Sequence, residues 1–174
     1  MNAMPEMLEV GAEAPEFLLC DDDSGRFKKP AVDINGTPIS IRDFDGRCLV
    51  LTFIDEARAP EQINSRIDLL KKISDFADEC KRLGAELVAA GMNEFGMMNE
   101  CVDKAQITFR YITEDNHNSP MLNDYKAYGG HINPFTYVIV DGKIQERWDQ
   151  TYPKFLDETH FQEVLTYISA NNLA

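Results

Sequence analysis

No run of apolar residues in this 174-residue chain approaches the roughly 18 needed to span a bilayer. The first fifteen residues lack the basic start and apolar centre of a signal peptide, so the expected location is the cytoplasm. Bases are scarce: 17 Lys and Arg stand against 30 Asp and Glu, a net charge of −13. That balance repels nucleic acid and anionic membranes and suits a solvated acidic surface. Cysteine is sparse too. Cys20, Cys48, Cys80 and Cys101 form no C-x-x-C pair and no zinc-ligand spacing, and in a cytosolic chain they are expected as reduced thiols. His117, His131 and His160 are far apart and read as surface side chains, so neither a metal nor a cofactor is implied. Asp21, Asp22 and Asp23 are adjacent acids, but the alternating acceptors and closing Glu of a calcium loop are missing, which leaves a solvated turn.

What the chain does have is a core. Hydrophobic residues make up 44% of it, enough for one domain without disulfides or metal. Residues 1–8 read as a flexible leader ahead of a single domain over 9–174. A short strand is expected over Pro15–Cys20. A hairpin is expected where Val32–Ile34 and Ile39–Ile41 flank Asn35-Gly36. Cys48 to Ile54 is a near-continuous apolar run, the mark of a central strand covered on both faces. Ile63, Ile67, Leu70, Ile73, Phe76, Cys80 and Leu83 recur at helical steps, so a helix is expected over Pro60–Leu83, stopped by Gly84. A strand over Glu86–Met92, a short helix over Phe95–Ala105 and a strand over Phe109–Ile112 follow. Ser119 and Pro120 have the chemistry of a helix start, and the helix is expected to run to about Tyr128 before Gly129-Gly130. Tyr137–Val140 and Ile144–Trp148 read as a hairpin across Asp141-Gly142, and Asp157–Ala170 as a closing helix. The order is hairpin, βαβαβα, then ββα. It predicts an α/β fold with a mixed central sheet, helices on both faces and an N-terminal β-hairpin.

Several segments carry a resemblance. Val10-Gly11-Ala12-Glu13-Ala14-Pro15-Glu16-Phe17 is similar to an opening V-G-x-x-A-P-x-F. Ile39 to Arg47 is similar to S-L-x-D-F-x-G-K. Tyr125 to Gly129 resembles A-Y-G-V, and Thr136 to Ile144 resembles T-F-V-I-D-x-x-G-x-I. In this order they resemble the peroxiredoxins, the alkyl hydroperoxide reductase C and thiol-specific antioxidant family of the thioredoxin fold. The resemblance covers about residues 9–170. It implies a thioredoxin fold of the peroxiredoxin type and an ancestry among thiol peroxidases. It also raises, by analogy alone, the expectation of a homodimer.

The family carries P-x-x-x-[ST]-x-x-C between its central strand and the following helix, where the helix dipole lowers the pKa of the attacking thiol. Aligned without gaps, Asp55 stands for the proline, Ala59 for the Ser/Thr and Gln62 for the cysteine. A glutamine amide is no nucleophile, Ala59 has no hydroxyl to donate, and Asp55 and Glu61 oppose a thiolate. No cysteine lies within residues 49–79, so no shift of register restores one. The arginine expected before Thr136 is also replaced, by Pro134-Phe135. Pro134 resembles the cis-proline of thioredoxin-like members and is expected to be cis, with an ordinary trans proline at a strand start as the alternative. Arg58, Glu61 and Pro134 are expected to face the site. Cys101 corresponds to the resolving cysteine of atypical members, although Met97, Met98, Cys101 and Val102 also suit a buried helical face. Cys48 and Cys80 are expected in the core, and Cys20 beside a polar loop is expected to be more reachable. Two functions follow as expectations. One is a protein without classical peroxidase activity, kept for binding an unknown partner or ligand. The other is a thiol enzyme using Cys101 or Cys20.

Overall fold

The computed structural model describes residues 6–22, 24–116, 119–128, 132–149, 158–171 and 173. Two three-residue strands, β1 (Leu18–Cys20) and β2 (Lys28–Pro30), pair antiparallel as the N-terminal hairpin. Then come β3 (Cys48–Ile54), α1 (Ile63–Arg82), β4 (Ala85–Met92), α2 (Met97–Ala105), β5 (Arg110–Glu114), α3 (Pro120–Asp124), β6 (Phe135–Val140), β7 (Lys143–Asp149) and α4 (Glu158–Ala170). The main sheet has the order β5-β4-β3-β6-β7. β3, β4 and β5 run parallel, and β6 and β7 add antiparallel. This is a thioredoxin-like α/β fold.

The apolar run chosen as the central strand is β3, and all seven of its residues are buried. Alternation divides it between two cores. Cys48, Val50 and Ile54 pack with α1, α2 and α4. Leu49, Leu51 and Phe53 pack on the other side with Phe17, Phe44, Met121, Leu122, Tyr125 and Tyr137. Phe53, Tyr125 and Tyr137 make tilted and edge-on ring pairs there. The α1 stripe is as its periodicity predicts: Ile67, Leu70, Ile73, Phe76, Ala77 and Cys80 are buried. Each such aliphatic side chain contributes about 1.5–3 kcal/mol by leaving water. Gly84 follows with φ +82, and its N–H donates to Lys81 O. No helix among the described residues is long and apolar enough to cross a membrane.

Four elements differ from expectation. Asn35-Gly36 does turn the chain, with Gly36 at φ +80, but only one bridge, Val32 to Pro38, forms beyond the turn. Pro38 has no N–H to extend a ladder. Instead the Asp33 carboxylate accepts from the N–H groups of Asn35 (2.9 Å) and Thr37 (3.0 Å). The N-terminal hairpin is formed by β1 and β2 rather than by the segments that flank Asn35-Gly36. The helix opened by Ser119, whose Oγ accepts from Leu122 N, ends at Asp124 rather than near Tyr128. Lys126 sits at φ +59, its N–H donates to Asn123 O, and the Ala127 N–H donates to Leu122 O. Those two bonds are a Schellman stop with lysine in the glycine position. They turn the chain so that Tyr125 is wholly buried. Gly129-Gly130, expected to stop this helix, lies outside the described residues, as does Asp157. Finally, Pro60–Gln62 is a 3-10 turn, and the α-helix begins at Ile63.

β7 carries a bulge. Val138 pairs with Glu146 but Ile139 pairs with Ile144, leaving Gln145 as an extra residue. Ile144 therefore faces the core that holds Tyr137, while Trp148 faces α4 on the opposite side. Tyr167 of α4 donates its hydroxyl to the Gln145 carbonyl at 3.2 Å.

Candidate functional site

The chain leaves β3 at Ile54 and reaches α1 through Asp55–Gln62. Ala59 is the extended residue before Pro60 (φ −146, ψ 151), and it has no side chain able to cap the turn. Gln62 instead ties the turn to the residue that precedes it: its Oε1 accepts from the Arg58 N–H at 2.7 Å. Its own N–H donates to Ala59 O at 2.9 Å, and its carbonyl accepts from Ser65 Oγ at 2.8 Å. Gln62 is thus half-buried and structural here, with Arg58, Pro60 and Glu61 exposed around it. Asp55 is held from α1. Arg66 Nε donates to the Asp55 carbonyl at 3.0 Å, and Arg66 Nη2 lies 3.7 Å from the Asp55 carboxylate.

Asp55, Arg58, Ala59, Glu61 and Gln62 are therefore gathered in one turn. Cys101 lies directly beneath it: its Sγ is 3.8 Å from the carbonyl of Ile63, the first residue of α1. Pro134 stands at the same end of the sheet. It immediately precedes β6, whose Thr136 pairs with Thr52, two residues before the end of β3. Phe135 N–H donates to Asn133 O at 2.7 Å, a three-residue turn about Pro134 that suits its fixed φ.

The thiols are withdrawn from solvent. All four cysteines are buried, and none is in a disulfide among the described residues. Burial pushes Cys48 up to about 11 and Cys80 up to about 12. Burial also raises Cys101, with Glu100 adding to the effect. Cys20 is not the reachable thiol that its sequence position suggests. It is 7% exposed, and burial and the neighbouring Glu114 both raise it. Glu114 Oε2 accepts from the Cys20 N–H at 2.7 Å, which turns the end of β1 inward. At neutral pH each thiol stays protonated, and the thiolate is the nucleophilic form. Among the described residues no three His, Cys, Asp or Glu side chains converge to hold a metal ion. Asp23, His117 and His131 lie outside the described residues.

Several polar groups were not singled out from the sequence. Glu56 is 1% exposed; its Oε2 is 3.5 Å from the Phe95 N–H and its Oε1 has no hydrogen-bond partner. Burial raises its pKa. Tyr111 is fully buried and its hydroxyl is likewise unpartnered. That hydroxyl lies over Gly91, where a Cβ would stand 3.3 Å from it and 2.5 Å from Ile54 O. Asn93 opens α2 in place of a capping side chain at Gly96: its Oδ1 accepts from Met98 N–H at 3.0 Å. The Met98 sulfur in turn accepts from Ala57 N–H at 3.3 Å. Met98 and Cys101 are buried and Met97 and Val102 partly so, the packed helical face that the spacing suggested.

His160 corrects a second expectation. It is 1% exposed, not a surface residue. Its Nε2 lies 2.9 Å from Thr136 Oγ1, which lies 2.9 Å from Thr52 Oγ1, so a buried polar chain crosses from α4 to β3. The signal was present in the sequence: His160, Val164 and Ile168 recur every four residues on one helical face.

No family model matches the chain, and no curated protein matches it. Solved structures do. A cysteine-to-serine mutant of PrxQ from Xylella fastidiosa superposes with a TM-score of 0.70 at 16% identity, covering 96% of this chain and 99% of that one. Peroxidoxin BcpB from Mycobacterium tuberculosis gives 0.69 at 16% identity, over 94% and 97%. The thioredoxin domain of a thiol-disulfide oxidoreductase from Bacteroides vulgatus gives 0.59 at 14% identity, over 92% and 99%. At these identities the likeness is one of fold.

Proposed function

We propose that this chain is a peroxiredoxin-like protein that has given up thiol peroxidase chemistry and keeps the fold for binding. One observation carries the reading. The turn where the family resemblance calls for a cysteine holds Gln62, and the Gln62 amide closes that turn onto the Arg58 N–H. The nearest thiol, Cys101, is buried beneath Ile63 and held protonated. A peroxidase needs the reverse: an accessible thiolate beside donors that polarise the O–O bond. Asp55 and Glu61 add negative charge, and Ala59 offers no donor.

The test is peroxide consumption by the reduced protein, with hydrogen peroxide and with an organic hydroperoxide. Wild type and Cys101→Ala are expected to leave peroxide at the rate of the buffer. Gln62→Cys places a half-exposed thiol at the start of α1, where the helix dipole favours the thiolate. It is expected to gain turnover that rises further with Ala59→Thr. Peroxide loss in wild type that disappears in Cys101→Ala or Cys20→Ala would sink the proposal and move the chemistry to that thiol.

A further inference from the structure

β7 and α4 leave a groove of about 760 Å³ between them, away from the α1 turn. Its β7 side is set by the bulge. With Gln145 extra, Glu146 and Trp148 both point toward α4, while Arg147 points away and donates to the carbonyls of Leu8 (2.7 Å) and Met7 (3.3 Å) on the other face. The α4 side is one helical stripe, Gln162, Glu163, Thr166 and Tyr167. Trp148 and Tyr167 stand nearly perpendicular, 78° apart with ring centroids at 5.6 Å, and form two aromatic walls.

Among the described residues, nothing neutralises the groove's charge. Glu146 accepts the Arg147 backbone N–H at 3.0 Å, and no described cation pairs with Glu146 or with Glu163. α4 contains no lysine or arginine. Half-buried aromatic rings beside unpaired carboxylates suit one kind of guest. A cationic head meets the carboxylates, and its apolar stem or planar face lies against the rings. A chain of net charge −13 also draws such a guest in from a distance.

We propose that this groove is a docking site for a basic peptide segment of a protein partner, with an arginine or lysine laid against the exposed faces of the Trp148 and Tyr167 pair, beside Glu146 and Glu163. The site is separate from the α1 turn, so the peroxide assay and the binding assay fail independently.

Trp148 is the sole tryptophan and lines the groove, so its emission reports occupancy directly. An acetylated, amidated tetra-arginine peptide is titrated into the full chain at 0.15 M salt, with a tetra-glutamate peptide in parallel. The expected result is a saturable change in Trp148 emission with tetra-arginine alone. Glu146→Gln with Glu163→Gln is expected to weaken the apparent Kd about tenfold. The exposed Glu163→Gln alone gives a smaller loss in the same direction. Asp68→Asn with Asp75→Asn removes the same charge from the exposed side of α1 and leaves the Kd within about twofold. Circular dichroism confirms that each variant is folded. No saturable change, or equal weakening by the two pairs of substitutions, overturns the proposal: the peptide would then bind nowhere, or only to diffuse acidic surface.

Discussion

Glu56 follows directly on the apolar strand that ends at Ile54, and the fold buries its carboxyl with one oxygen unpartnered. Burial raises its pKa from the ordinary 4.5 in the folded state. Between that value and the raised one the folded protein holds a proton that the unfolded chain has lost, so stability falls as pH rises through the window. Glu56→Gln removes this dependence. It is expected to be more stable than wild type at pH 8 and to converge with it near pH 4, as urea unfolding at the two pH values will read. Equal stability at pH 8 would mean that the Glu56 charge is solvated. The sequence showed Glu56 only as one letter in a segment read for other residues. Nothing in local periodicity says that the chain turns inward after Ile54. Gln62 was legible because a motif fixed its place. Its bond to Arg58 was not, because that bond depends on the 3-10 turn that Pro60 begins.

α3 shows how elements can end against their local signals. Ser119 and Pro120 start it as their chemistry dictates, but packing ends it early so that Tyr125 enters the core. The stop places Lys126 at φ +59, a conformation that costs a side chain with a Cβ about 1 kcal/mol. Lys126→Gly is therefore expected to stabilise the protein by roughly 0.5–1 kcal/mol in urea unfolding. Its ion pair with Glu6, 3.7 Å long with Glu6 87% exposed, is too solvated to oppose the gain. Destabilisation would mean that the Lys126 stem packs on the core more than its half-exposure suggests. The long elements, β3, α1 and β4, were readable because many residues repeat one period. Short ones such as β2 and α3 depend on distant partners, and three to five residues carry too little period to read.

At the scale of the whole molecule, the N-terminal segment pairs with the first residues of the edge strand β7. Gly11 N–H donates to Ile144 O at 2.8 Å, Ile144 N–H to Ala12 O at 2.9 Å, and Ala14 N–H to Gly142 O at 2.7 Å. These bonds cover the start of the outer edge of β7, an edge that would otherwise offer itself to another chain. Removing residues 1–14 is expected to produce self-association that grows with concentration, seen by light scattering. An unchanged mass would show that β7 needs no cover. The overall order of elements was legible because strand and helix alternate so regularly; this cover was not, since bonds between residues so far apart leave no local trace. The same feature imposes a schedule on folding. β3 waits for β6, joined to it by a hydrogen bond spanning 84 residues, and the N-terminal segment waits longer still, since Leu8 meets Tyr137 across 129 residues and Arg147 across 139. On the ribosome, this segment emerges ahead of β3 yet finds its partners only after β6 and β7 have followed. Until the final hairpin emerges, the most apolar strand of the chain has one neighbour instead of two.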